Sequence, residues 1–225
     1  FFQHAGANAY YGEEHIDWDK LDVDIFHIGY ILLLPNLDEA DDVYGTKMAK
    51  LLHRVQGMGI KTSIDVVSES GDRFAKLVTP ALKYTDYCVI NELEAQQTTG
   101  VQLRDEDGTL HPENMEQALR RLRELGVSTW AVIHCPEIGA GLDENGTFFL
   151  QRSLKLPKGY IKGTVGAGDA FCAGTLYSLL KGFDPEKTLR LASCAAATNL
   201  TVSDSVSGAK SLAETLALDA QFARK

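Results

Sequence analysis

The chain lacks a long apolar run. The longest comparable stretch, residues 31–34, falls far below the roughly 20 residues that cross a bilayer, so no membrane-spanning helix is expected. Nothing near the start joins a basic segment to an apolar one and a small-residue cleavage site, so no secretory leader is read there. Cysteine is sparse: Cys88, Cys135, Cys172 and Cys194 are the only four, and none forms a C-x-x-C metal pair. Cys88, Cys172 and Cys194 sit in apolar contexts and read as reduced, buried thiols of a cytoplasmic protein. Basic charge is also in deficit, with 22 Lys and Arg against 31 Asp and Glu, a formal net charge of −9. A nucleic-acid partner is therefore excluded, because a phosphate backbone rewards clustered cations. An anionic small molecule has to be held by local donors instead. An initiator Met is lacking too; the chain opens on Phe1-Phe2 as if cut into a strand, which suggests a piece of a longer chain.

What is present is an alternation of strand-like and helix-like segments. Residues 24–28, 61–67, 86–90 and 129–134 read as strands, and residues 38–56 and 73–82 as helices. Pro112 suits a first helical position, and Met115, Ala118, Leu119, Leu122 and Leu125 follow on one face until Gly126. Asn145-Gly146 between apolar flanks predicts a hairpin. Three helices close the chain: residues 168–181, one opening at Asp184-Pro185, and one opening at Ser211 with Glu214 three residues on, a capping-box spacing. The alternation predicts an α/β fold, a mostly parallel sheet with helices on both faces. Residues 1–225 read most simply as one domain, since no repeat, low-complexity tract or linker interrupts them.

The chemistry concentrates in Gly163-Thr164-Val165-Gly166-Ala167-Gly168-Asp169-Ala170-Phe171. A Gly-rich turn runs straight into a helix, whose first turn carries unpaired N–H groups and the positive end of the macrodipole. Gly166, Ala167 and Gly168 let phosphate oxygens approach the backbone. Asp169 in that first turn is placed to accept a proton from an attacking hydroxyl. Two other phosphate loops fail on spacing: Asp169 stands where a Walker A loop needs Lys, and Phe171 where a dinucleotide loop needs Gly. On these residues alone, a tight turn with a capping Asp169 is an equal reading.

Residues 163–171 resemble the C-terminal D-T-x-G-A-G-D signature of the ribokinase-like (PfkB) carbohydrate kinases. Four further segments resemble that family in the same order: Gln3-His4-Ala5-Gly6-Ala7-Asn8, Asn91-Glu92-Leu93-Glu94, Glu137-Ile138-Gly139-Ala140, and residues 189–202 followed by Gly208-Ala209. The resemblance implies an ATP-dependent transfer to a hydroxyl of a sugar or nucleoside. It makes Asp169 the base, and the N–H groups of Gly166, Ala167 and Gly168 the anion hole. It gives Glu94 a share in holding Mg²⁺ through water, and Asn91 the orientation of phosphate or metal-bound water. It puts Gly139, Ser193 and Gly208 near the nucleotide. By the residues alone, Asn91 and Glu94 read more readily as a helix cap and a solvated carboxylate, and the run Ala195-Ala196-Ala197 as close helix packing. His4, Asn8, Tyr30 and Asp65 are pocket neighbours by their place in the pattern, and equally loop polar groups. Some members of the family dimerise through a lid, so a homodimer is among the implied states.

Three departures stand against this pattern. Gly163 occupies the place of the family's leading Asp, which borders a monovalent-cation site; a monovalent cation is thus among the implied cofactors, and Gly163 is the departure that stands against it. His134-Cys135-Pro136 replaces a Thr-x-Gly element, and Pro136 has no N–H to offer a nucleotide. His134 reads more readily as a core histidine than as a nucleotide neighbour. The family's N-terminal Gly-Gly-x-x-Asn element and part of its lid have no counterpart in these residues. These departures motivate an alternative, a non-catalytic nucleotide- or sugar-binding regulator with the same fold.

Overall fold

The computed structural model describes residues 4–68 and 73–225. Gln3, part of the first motif, lies outside them. Six strands form one sheet in the order β1-β4-β5-β6-β7-β8: Ile25–Ile31, Lys61–Val66, Tyr87–Asn91, Trp130–His134, Ile138–Leu142 and Phe148–Arg152. β1 pairs with β4 and β4 with β5 in parallel, whereas β7 and β8 form an antiparallel hairpin. The sheet is therefore mostly parallel, as the alternating pattern predicts. Its interior strands bury an apolar row, with Ile64, Val89, Ile90, Ala131, Val132 and Ile133 all buried. A separate two-stranded hairpin joins β2 (Ala40–Asp41) to β3 (Gly45–Thr46).

The chain divides into two compact units, Phe1–Cys88 with Glu92–Ala131, and Val89–Asn91 with Val132–Lys225. The first unit carries helices α1 (Lys47–Gly57), α2 (Phe74–Leu82), α3 (Glu92–Thr99) and α4 (Met115–Leu125). α1 starts where the Thr46 hydroxyl accepts the Ala49 N–H at 3.1 Å, and it buries Met48, Leu51, Leu52 and Val55. The expected helix over residues 38–56 is thus corrected: nearly its first half, up to Thr46, holds the β2–β3 hairpin, and α1 begins only at Lys47. Asp41 explains the difference, since its Oδ1 accepts the N–H groups of Val43 and Tyr44 at 2.9 Å each and turns the chain back on itself.

Asp86, just before β5, fastens this unit. Its carboxylate accepts from Lys61 Nζ at 2.7 Å, the Thr62 N–H at 3.0 Å, Gln56 Nε2 at 3.0 Å and Ser128 Oγ at 2.9 Å. Burial opposes its charge, but the Lys61 ammonium and these donors prevail and hold the carboxyl at about 2.

The second unit carries α5 (Ala167–Leu180), α6 (Pro185–Asn199) and α7 (Leu212–Gln221). α5 and α6 pack closely because Gly174 has no side chain; a Cβ there would lie 2.9 Å from the Ala192 Cα. α7 opens with the expected capping box between Ser211 and Glu214. Leu154, Cys194 and Ala197 form a small core with Leu218 and Phe222 packed against it. All four cysteines are buried free thiols, and burial pushes that of Cys194 up to about 11. No helix among the described residues is long and apolar enough to cross a membrane.

Candidate active site

The Gly-rich turn leads into α5 in a conformation that few residues could adopt. Gly166 caps the helix at φ +77°, in the left-handed region. A Cβ on Gly166 would also lie 2.5 Å from the Ser205 carbonyl oxygen. Glycine is thus required at this position for both backbone angle and space. The turn is held from outside: Asn199 Nδ2 donates to the Val165 carbonyl at 2.7 Å, and the Lys162 N–H donates to the Leu200 carbonyl at 2.8 Å. The abutting segment is itself fixed by Asp204, whose Oδ1 accepts the N–H groups of Val206 and Ser207 at 2.9 and 2.7 Å. Those bonds, with one from the Ser207 hydroxyl first among them, hold the Asp204 carboxyl at about 2. Sequence reasoning missed Asp204, although an Asp followed by Ser three residues on is a readable turn signal.

The first turn of α5 then presents its donors. The Ala167 N–H reaches the Thr164 carbonyl at 3.3 Å, while those of Gly166 and Gly168 have no acceptor among the described residues. Ala170 donates to the Gly166 carbonyl at 2.9 Å, so regular helix bonding begins there. Of the three expected anion-hole donors, Gly166 and Gly168 are the unengaged ones. Asp169, in the same turn, is exposed to solvent. An oxyanion over this turn would meet N–H groups and the helix dipole, with a carboxylate one residue away.

Behind the turn lies a tight apolar stack. Phe171 packs against the His134 ring with centroids 4.8 Å apart, and a Cβ on Gly139 would lie 2.9 Å from Phe171 Cζ. Gly139 therefore serves this stack through its missing side chain. Burial lowers the His134 imidazole to about 4, against the pull of the Asp169 carboxylate.

The remaining residues fall as follows. Gly208 approaches the end of α6, where a Cβ would sit 2.7 Å from the Asn199 Cα. Ser193 lies in α6 with its Oγ enclosed and without a hydrogen-bond partner among the described residues. Gly163 has a local cause: a Cβ there would lie 2.7 Å from the Val202 carbonyl oxygen and 2.8 Å from the Ser203 Cα. An Asp side chain has no room unless that backbone shifts. Asn91 ends β5. In the first unit, Glu94 lies in the first turn of α3, only 5% exposed, and accepts from Ser68 Oγ at 2.8 Å. Ser68 carries no signal in sequence, being 26 residues from its partner. Asp65 is buried on β4 and accepts the Val66 N–H at 2.8 Å. His4 is exposed, and its Nδ1 accepts the Gly6 N–H at 3.1 Å within its own loop.

The mostly parallel sheet and its helices define an α/β protein of ribokinase-like fold, with the Gly-rich turn at the start of α5. The profile of the pfkB family carbohydrate kinases matches residues 2–211, and the chain belongs to that family. It is 25% identical over 191 residues to a ribokinase of Arabidopsis thaliana, covering 85% of this chain and 45% of that protein. Among solved structures, Arabidopsis thaliana ribokinase complexed with ribose and ATP superposes with a TM-score of 0.62 at 22% identity, over 76% of this chain and 51% of that one. The 2-dehydro-3-deoxygluconokinase of Thermotoga maritima superposes with a TM-score of 0.72 at 20% identity, over 94% of this chain and 65% of that one. The chain thus spans about half the length of the curated relative it matches.

Proposed function

We propose that the protein is an ATP-dependent phosphotransferase that phosphorylates a hydroxyl of a sugar or sugar-like small molecule. The observation that carries this reading is the start of α5, where the unengaged N–H groups of Gly166 and Gly168 share one turn with the exposed Asp169. The residues present fit the implied cofactor. The N–H groups of Gly166 and Gly168, which have no acceptor among the described residues, suit a phosphate, and Glu94 offers a hard oxygen ligand suited to Mg²⁺ held through water. Mg·ATP, when bound, supplies the transferable phosphoryl group and neutralises charge on it.

The roles of the chain's own residues follow. Asp169 accepts the proton of the acceptor hydroxyl, making the oxygen nucleophilic. The Gly166 and Gly168 N–H groups, and the Ala167 N–H if it releases Thr164, donate to the charge that grows on the transferred group. Glu94 anchors the metal's water shell, and Asn91 orients phosphate or water. Gly139, Ser193 and Gly208 shape the surroundings of the nucleotide. The four free thiols fit a reducing, cytoplasmic setting.

The test is ADP production by the full-length protein with Mg·ATP over a panel of ribose, ketoses, sugar acids and nucleosides, beside Asp169→Asn. One substrate should give turnover, and the variant should lose roughly 10²- to 10⁴-fold in kcat while binding ATP normally. Normal turnover by the variant would remove Asp169 from the chemistry. ATP binding without turnover on any substrate would point to a regulator.

A further inference from the structure

Resting on the kinase reading above, we infer that His134 is the positioning residue for the first turn of α5: its ring is a neutral wedge that fixes where Gly168 and Asp169 stand. His134 is the last residue of β6, so its Cα is fixed by the sheet. The next residues turn sharply, with the Cys135 N–H donating to the Ile138 carbonyl at 2.9 Å, so the chain cannot carry the ring away. The ring lies on Phe171, which follows Asp169 by two residues in α5. Its Cε1–Nε2 edge faces the backbone of Gly168, since a Cβ there would stand 3.3 Å from Cε1 and 3.7 Å from Nε2. Strand, imidazole and helix start thus form one continuous stack on both sides of Asp169. No hydrogen bond ties either ring nitrogen to the described residues, so contact rather than bonding holds the ring.

A cation beside Asp169 would stabilise the carboxylate form and weaken it as a base, an effect that a neutral ring does not have. The low imidazole pKa imposed by burial agrees with this geometry. The ring also fills the space under α5, and a smaller side chain would let the turn settle. Misplacement of a reacting group by about 1 Å costs up to roughly 100-fold in rate.

The experiment compares His134→Ala and His134→Phe with wild type in the full-length protein, reading kcat, the KM for ATP and the melting temperature. His134→Ala should lower kcat roughly 10- to 100-fold with KM and melting temperature little changed. His134→Phe, which keeps a neutral ring on Phe171, should restore most of kcat. Three results overturn the inference: an unchanged kcat in the Ala variant, a loss of kcat that tracks a fall in melting temperature, or failure of Phe to rescue, which would assign the imidazole nitrogens a direct contact with ligand. Wild-type protein that binds no Mg·ATP would overturn the kinase reading itself, whereas the first three outcomes leave that reading standing.

Discussion

At the scale of single residues, the site depends on glycines for different reasons. Gly166 needs both a left-handed φ and empty space beside Ser205. A left-handed conformation costs a non-glycine residue about 1–2 kcal/mol, before the backbone contact is counted. Gly168 has helical angles, and its missing Cβ faces the edge of the His134 ring at 3.3 Å, with no backbone as close as the one beside Gly166. Alanine at 168 even gains helix propensity of about 1 kcal/mol. Gly166→Ala is therefore expected to weaken ADP affinity roughly tenfold or more, equivalent to about 1.4 kcal/mol, with Gly168→Ala much milder. Calorimetric titration of ADP into both variants checks the order, and equal losses would show that the φ of Gly166 is not what shapes the cradle. The sequence marks both glycines in one motif, but only the coordinates separate their roles. Gly163 makes the same point: its departure from the family's Asp looked like a lost cation contact, yet the Val202–Ser203 backbone, nearly 40 residues away, leaves no space there.

At the scale of elements, periodicity and punctuation located most of the sheet strands and most of the long helices, but not α3, β2 or β3. The β7–β8 hairpin turns at Gly146, and α4 stops at Gly126, each with the positive φ the sequence implies. The failure at residues 38–56 was one of weighting. Apolar residues recur there at helical spacing, but Asp41 bonds to the backbone ahead of it and Thr46 supplies the true cap. The partnership of Ser68 with Glu94 was illegible because only the fold brings those residues together. Asp86 shows how such long-range contacts tie elements. It joins the start of β4, the end of α1 and the turn before β6 through donors on Lys61, Gln56 and Ser128. Its folded pKa lies below the ordinary carboxylate value, so its stabilisation is fully present above about pH 4 and is lost as pH falls through about 2. Asp86→Asn should cost about 2 kcal/mol at neutral pH, and the gap from wild type should close on acidification. Urea unfolding of both proteins at several pH values measures this; a gap that persisted at pH 2 would mean that the contacts, and not the charge, supply the stability.

At the scale of the whole molecule, a net charge of −9 sets the conditions for binding an anion such as ATP. The overall field repels it, so under the proposed function affinity would come from the Gly166–Gly168 turn and from the accompanying metal. That division predicts a specific pattern of ligand-induced stabilisation. A ligand that binds only the folded state adds about 2.7 kcal/mol at a hundredfold excess over its Kd. For a chain of this size, that raises the melting temperature by roughly 5–10 °C. Mg·ADP should produce such a shift in wild type and in Asp169→Asn, because the carboxylate acts on the acceptor hydroxyl and does not hold the nucleotide. Gly166→Ala should lose most of the shift. Differential scanning fluorimetry on the three proteins decides the matter. If Asp169→Asn lost the shift as completely as Gly166→Ala, the carboxylate would belong to nucleotide binding, and the separation of cradle from base argued from α5 would fail.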